Sequence, residues 1–278
     1  MATQMFELLM RGHNDLRYQP VQKRVRALLG GDTVVDTAGA ALVWEPRRVV
    51  PSYAVPIADV SGELVEAASF LAEEHAVSLA DGGPPALDPS TGFGFHTTPG
   101  LELMVRSGEF SGAAFRPDDP ELGSMVVLDF DAFEWLEEDE PIFGHPRDPF
   151  SRIDLRQSSR HIEVEVAGTV VADSHHPLLL FEFVLPSRFY LPKADVLVPL
   201  EPSTTSTVCA YKGHATHWSA VELGDAGQDI AWSYESPPPE LVQITGLICF
   251  YQERVDMVVD GVRLERPITP WSAPPNSA

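Results

Sequence analysis

Basic residues are scarce in this chain, and so is cysteine. Lysine and arginine total 19 against 41 aspartates and glutamates, for a formal net charge of −22. Nucleic-acid binding is built on cationic phosphate contacts, so this balance argues against such a partner. It also disfavours anionic membrane surfaces. Two cysteines cannot form a disulfide framework. No apolar run reaches the length of a membrane span, and no signal-peptide core is visible near the N-terminus. These shortages lead us to expect a soluble, cytoplasmic protein whose acidity serves solubility.

Signatures of catalysis are also sparse. There is no G-x-S-x-G elbow, no Walker loop and no G-x-G-x-x-G fingerprint. Asp129-Phe130-Asp131 has strand spacing that would place two carboxylates on one face, as in a metal clamp or, more plainly, as exposed strand positions. Nucleotidyl transfer would also need a phosphate-holding turn upstream, and Gly123-Ser124 sits too close to serve. His214 and His217 face opposite sides of any strand that carries both, and no cysteine pair accompanies them. His175-His176 before Pro177 reads as a turn dipeptide. The expectation is no metal and no cofactor.

The chain is rich in turns. Its 278 residues suggest about two domains, with 25 prolines and 20 glycines to punctuate them. Met5–Met10 could form a short helix or an ordered arm. Strand-like runs then follow at Arg24–Val35, Ala41–Trp44 and Tyr53–Val60. Leu64, Ala68, Leu71, Ala72 and His75 recur at helical spacing, which predicts an amphipathic helix over 62–77 with Ser61 as its cap. The acidic run Glu134–Glu140 reads as a solvated face beside a proline-rich connector, Pro141–Pro149.

The second half repeats the first. Gly168-Thr169-Val170-Val171-Ala172-Asp173-Ser174 echoes Gly31-Asp32-Thr33-Val34-Val35-Asp36-Thr37, and Leu179-Leu180-Phe181-Glu182 echoes Leu42-Val43-Trp44-Glu45. Tyr190 and Ala194-Asp195-Val196 then answer Tyr53 and Ala58-Asp59-Val60, with one extra residue in the first copy. Matches in a constant order over a domain length point to duplication. We expect an all-β chain of two tandem antiparallel domains, 22–150 and 151–278, with a helical insertion in the first. Val259-Asp260-Gly261-Val262 is a tight-hairpin signal in the second.

The order GTVVADS, LLLFE, RFYLPKADV, CAYKG, HWS, AWSY, GLICFYQERVD and ERPITPW resembles the bacterial domain-of-unknown-function family four-twenty-seven in its tandem form. RVRALLGGDTVVDT, LVWE, FDAFEWLEEDE and HPRDPF are similar to the N-terminal domain of the same tandem proteins. The resemblance implies β-tent-like domains, two antiparallel sheets leaning together over a pocket, and brings with it a nucleotidyltransferase label. By the same comparison the first copy holds nothing like CAYKG or AWSY and reads as a degenerate, scaffold-like or differently specific domain.

Any site therefore belongs to the second copy. Glu182, Tyr190, Lys212, Trp218, Trp232 and Tyr234 form its polar-aromatic set, suited to gripping a flat or anionic small molecule. A charge in so apolar a setting needs an opposite charge, which predicts pairing of Glu182 with Lys212, or of Arg254 with Glu253 or Asp256. The plainer alternative is that the aromatics are core and Lys212 snorkels to solvent. Cys209 could be a nucleophile activated by Lys212, or a small buried thiol. Three functions remain open: binding of an unidentified small molecule, an enzyme using Lys212 or Cys209, and a non-catalytic scaffold.

Overall fold

The computed structural model describes residues 2–68, 70, 72–78, 84–183 and 185–272, which fall into two compact units. The first holds the residues up to Val77 and Pro85–Asp148, and the second holds Ser78, Pro84 and the residues from Pro149 onward. The only α-helix among the described residues is α1 (Met5–Met10). Among the described residues no helix is long and apolar enough to cross a membrane.

In the first unit a seven-stranded sheet runs β1 (Arg17–Pro20), β4 (Ala41–Trp44), β5 (Ser52–Pro56), β11 (Met125–Leu128), β10 (Phe110–Pro117), β9 (Gly100–Ser107), β6 (Glu63–Glu66). A four-stranded sheet runs β13 (Glu140–Ile142), β12 (Glu134–Glu137), β2 (Val25–Leu29), β3 (Asp32–Thr37), and β7 (Ala76–Ser78) pairs with β8 (Pro85–Leu87). In the second unit the large sheet is β14 (Ile153–Gln157), β17 (Leu178–Glu182), β18 (Arg188–Leu191), β22 (Ile248–Phe250), β21 (Ala231–Tyr234), β20 (Gly213–Ser219), β19 (Glu201–Cys209). Its small sheet is β16 (Thr169–Ser174), β15 (Ile162–Val166), β23 (Asp256–Val259), β24 (Val262–Arg263).

Strand for strand, the two orders coincide. The likeness reaches single residues: β2 and β15 share one alternating burial pattern, and each carries a bulge, at Ala27/Leu28 and at Val164/Glu165. Thr37 Oγ1 donates to Asp59 Oδ2 at 2.6 Å, and Ser174 Oγ to Asp195 Oδ2 at 2.5 Å, each fixing the turn after the third large-sheet strand.

Strand alternation gives each large sheet two apolar faces. In the second unit Leu179, Phe189, Leu191, Ala231 and Phe250 face inward and pack with Ile162, Val164 and Val171 of the small sheet. Leu178, Leu180, Tyr190, Trp232, Tyr234 and Cys249 form a separate outer cluster, together with Leu241 and Ile244 from a 3-10 turn. The first unit divides in the same way, with Leu42, Trp44, Tyr53 and Val55 inside and Val43, Ala54, Phe115 and Val127 outside.

Three expectations need correction. The helix over 62–77 is absent: Glu63–Glu66 is the edge strand β6, paired with β9 from Glu63↔Arg106 to Glu66↔Leu103, and Ala76–Ser78 is β7. Ser69 and Leu71, part of the same expected helix, lie outside the described residues. An otherwise open edge at β9 offers a full ladder of backbone partners, which outweighs weak helical spacing. Gly62 permits the approach, since a Cβ there would come within 2.7 Å of Val105 and 2.9 Å of the Arg106 carbonyl.

The alignment of Tyr53 with Tyr190 is one residue out. Leu42 pairs with Tyr53, whereas the equivalent Leu179 pairs with Phe189. The first copy's extra residue therefore falls before Tyr53, and a one-residue slip exchanges faces. Tyr53 is an inner residue like Phe189, and Tyr190 corresponds to the outer Ala54. Finally, Asp129-Phe130-Asp131 is no strand clamp: Asp129 caps a 3-10 turn, its side chain accepting from the Asp131 amide.

Candidate functional site

The hairpin joining β19 to β20 places Lys212. Its amide donates to the Cys209 carbonyl at 3.2 Å, closing a tight turn, and Gly213 follows with φ +97°, a conformation that favours glycine. Glu182 comes from the end of β17 across the outer face. The Lys212 ammonium meets Glu182 Oε2 at 2.5 Å and lies 3.8 Å from Cys209 Sγ. Only 9 % of the lysine side chain and 14 % of the glutamate are exposed, so the charges are compensated away from bulk water.

Beside this pair the outer face is aromatic. Trp232 donates through Nε1 to the Tyr190 hydroxyl at 3.4 Å, their rings edge to face, and lies tilted against Tyr251 at 4.4 Å. Burial, then the nearby Cys249, Tyr234 and Glu182, holds the Tyr190 phenol well above its ordinary range. Tyr234 shifts the same way, through burial first and then Cys209 and Glu182. Glu182, Tyr190, Lys212, Trp232 and Tyr234 therefore occupy one neighbourhood.

Trp218 does not join them. It precedes Ser219 on β20 and lies opposite Ala231, on the inner face, where its Nε1 donates to Ser233 Oγ at 2.9 Å and the Lys193 ammonium sits 4.5 Å from its ring. Its neighbour His217 takes the outer side, as a period of two requires. His217 is buried, its Nε2 is 2.9 Å from Thr207 Oγ1, and its ring stacks with Tyr251. The Cys249 thiol is a core group, pushed up to about 12 by burial.

A second buried ion pair escaped the sequence reading. Arg188 donates from Nη1 to Glu253 Oε2 at 2.9 Å and from Nη2 to Oε1 at 2.7 Å, a bidentate fork with side chains 7 % and 0 % exposed. Its guanidinium lies 5.4 Å from the Trp232 ring and 5.5 Å from Trp271. Burial would raise the Glu253 carboxyl, but the bonds from Arg188 and then Thr269 outweigh it and hold the group below its ordinary 4.5. The signal was present: Arg188 opens the apolar run Arg188–Leu191, and Glu253 closes another after Cys249-Phe250-Tyr251-Gln252. Arg254 donates to the carbonyls of Trp271 and Asp229, and Asp256 is held by Arg263 and Arg266.

Residues 154–261 match the family model described as Domain of unknown function (DUF427). This segment is similar to one such domain. The match begins in β14 and ends in the turn after β23, so it contains both buried ion pairs and the outer aromatic cluster. It covers a single copy, and the first unit enters the comparison only through its matching sheet order. No curated protein matches the chain.

Proposed function

We propose that the DUF427-like domain binds a small planar molecule carrying a carboxylate or carbonyl group, held at the Lys212–Glu182 end of the outer aromatic cluster. The observation that carries this reading is the lysine itself. Its ammonium is nine-tenths buried beside Glu182 and Cys209 and backed by aromatic rings, a costly arrangement that a purely structural role does not need. The approach is from the Glu182 side, where Cys209 is half-buried and Phe183 exposed. There a ligand anion can share Lys212 with Glu182, while Trp232 and Tyr234, 8 % and 7 % exposed, add only a small apolar contact. Trp218 belongs to the inner core and takes no part.

A catalytic variant of this reading has one observation in its favour. The Cys209 sulfur is 3.8 Å from the Lys212 ammonium, and a neighbouring cation favours a thiolate. The β-tent description of both units, and a tandem arrangement of two copies divided near residue 150, belong to the same proposal. The matching sheet orders support them.

Thermal-shift titration with benzoate and indole-3-carboxylate, as planar anionic probes, tests the reading. A rise in melting temperature that disappears in Lys212→Met, with the variant's circular dichroism unchanged, is the expected result. No response to either probe, or an equal response in the variant, removes the basis for the proposal.

A further inference from the structure

The start of β15 and the end of β16 bring three metal-binding side chains together on the second unit. Asp173 lies in β16 and His175 just past its end, and His161 stands across from them, just before the Ile162↔Ser174 pair. His161 Nε2 lies 2.8 Å from Asp173 Oδ1, and the His161 and His175 rings stack with centroids 4.2 Å apart. One ligand atom from each residue can be chosen so that all three lie within 4.8 Å of one another. The backbone beneath His161 is fixed: its amide donates to Asp260 Oδ1 at 3.0 Å, and its carbonyl accepts from the Asp260 amide at 2.9 Å. Arg160 already neutralises the Asp260 carboxylate, at 2.7 Å.

The first unit shows what this corner needs. By register, Arg24 stands in the place of His161, Asp36 in that of Asp173, and Ala38 in that of His175. There Arg24 donates from Nε to Asp36 Oδ1 at 2.7 Å and from Nη2 to Oδ2 at 2.5 Å, a self-contained ion pair. In the second unit the permanent guanidinium is gone, and two imidazoles stand around the carboxylate. Two stacked, fully protonated imidazoles would repel, whereas two neutral ones present nitrogen lone pairs beside a carboxylate oxygen.

We infer that His161, Asp173 and His175 form a solvent-open site for one borderline divalent ion of the zinc, nickel or copper class, the cation replacing the arginine of the first unit. Two imidazoles and one carboxylate suit these metals and not magnesium or calcium, which prefer oxygen-rich shells. Water completes the coordination, since Asp173 and His175 are exposed. The site lies on the small sheet, and nothing in the fold depends on its being filled.

Isothermal titration of untagged, chelator-treated protein with zinc chloride at pH 7.5, and with magnesium chloride in parallel, tests the inference. The decisive variant is His161→Arg, which recreates the first unit's ion pair and so keeps the corner folded. Zinc should bind once per chain and magnesium should not, with His161→Arg and His175→Ala each weakening zinc by about tenfold or more. His214→Ala, on β20, should leave zinc binding unchanged. Absence of zinc binding, binding unaffected by His161→Arg, or binding lost in His214→Ala would overturn the assignment.

Discussion

Glu45 and Glu182 occupy the same place in the two units, at the end of the second strand of each large sheet, yet they are satisfied differently. Glu45 accepts from the Thr97 amide at 2.8 Å and lies 2.9 Å from His96 Nδ1, the imidazole stacking on Phe115 at 3.6 Å. Glu182 takes the Lys212 ammonium beside Cys209. By register Phe115 and Trp232 are equivalent, as are Val127 and Cys249. An imidazole can bond its carboxylate while neutral by donating Nδ1–H, whereas an ammonium brings a full charge. The comparison teaches that each large sheet supplies a mostly buried carboxylate, and that each unit sets its chemistry through the partner delivered just before the sixth strand. His96 Nε2 is buried and has no hydrogen-bond partner among the described residues.

The largest difference to break is the Arg188–Glu253 pair, because Ser52 stands where the second unit has Arg188. Arg188→Leu strands a fully buried carboxylate and should cost the second unit about 3–5 kcal/mol in a urea melt. Adding Glu253→Leu should recover most of the loss, since apolar replacements of both partners are well tolerated. If the single variant melts like wild type, the pair is not buried as described.

Next comes the Lys212–Glu182 pair. Glu182→Gln leaves a mostly buried ammonium short of its counter-charge and should cost about 2 kcal/mol. Lys212→Met keeps the stem, leaves Glu182 near the rim, and should cost about 1 kcal/mol or less. Equal costs would mean that neither charge depends on the other.

A smaller effect sharpens the register correction. The Tyr53 hydroxyl donates to Glu137 Oε1 at 2.6 Å, whereas its true counterpart Phe189 has no hydroxyl. Tyr53→Phe should therefore cost about 1.5 kcal/mol, read from the same melts.

The likeness of the two halves was legible because apolar alternation and turn residues recur in both: GTVVADS against GDTVVDT aligns at the correct residues. It could not place the extra residue between Glu45 and Tyr53, since a loop insertion leaves no periodic trace, and Tyr53 was matched to the wrong face as a result. The edge strand β6 was misread for a related reason. Its pairing is supplied by β9, forty residues away, and Glu63–Glu66 alone does not record it. At the site, the need of a buried lysine for a carboxylate was legible, whereas the face of Trp218 depended on where β20 begins, one residue after Lys212. Arg188 and Glu253 went unpaired because their partnership joins β18 to the end of β22.

The smallest effect concerns pH and should appear in both units. His13 and His217 are held below the ordinary 6.5, chiefly by burial and further by Arg17 and Arg254 respectively. A base with a lowered folded pKa binds protons more readily when unfolded. Their contribution to stability is therefore complete above pH 6.5 and declines as pH falls from there toward the folded values. Melts at pH 7.5 and 5.5 should show lower stability at the acid end, with the drop reduced in His217→Asn.

Native mass spectrometry of the protein as expressed, wild type beside Lys212→Met and His96→Ala, tests most directly the claim that the second copy alone carries the anion-gripping lysine. A small-molecule adduct present in wild type and His96→Ala and missing from Lys212→Met is the predicted result. An adduct that persists in Lys212→Met, or that vanishes in His96→Ala instead, would contradict it.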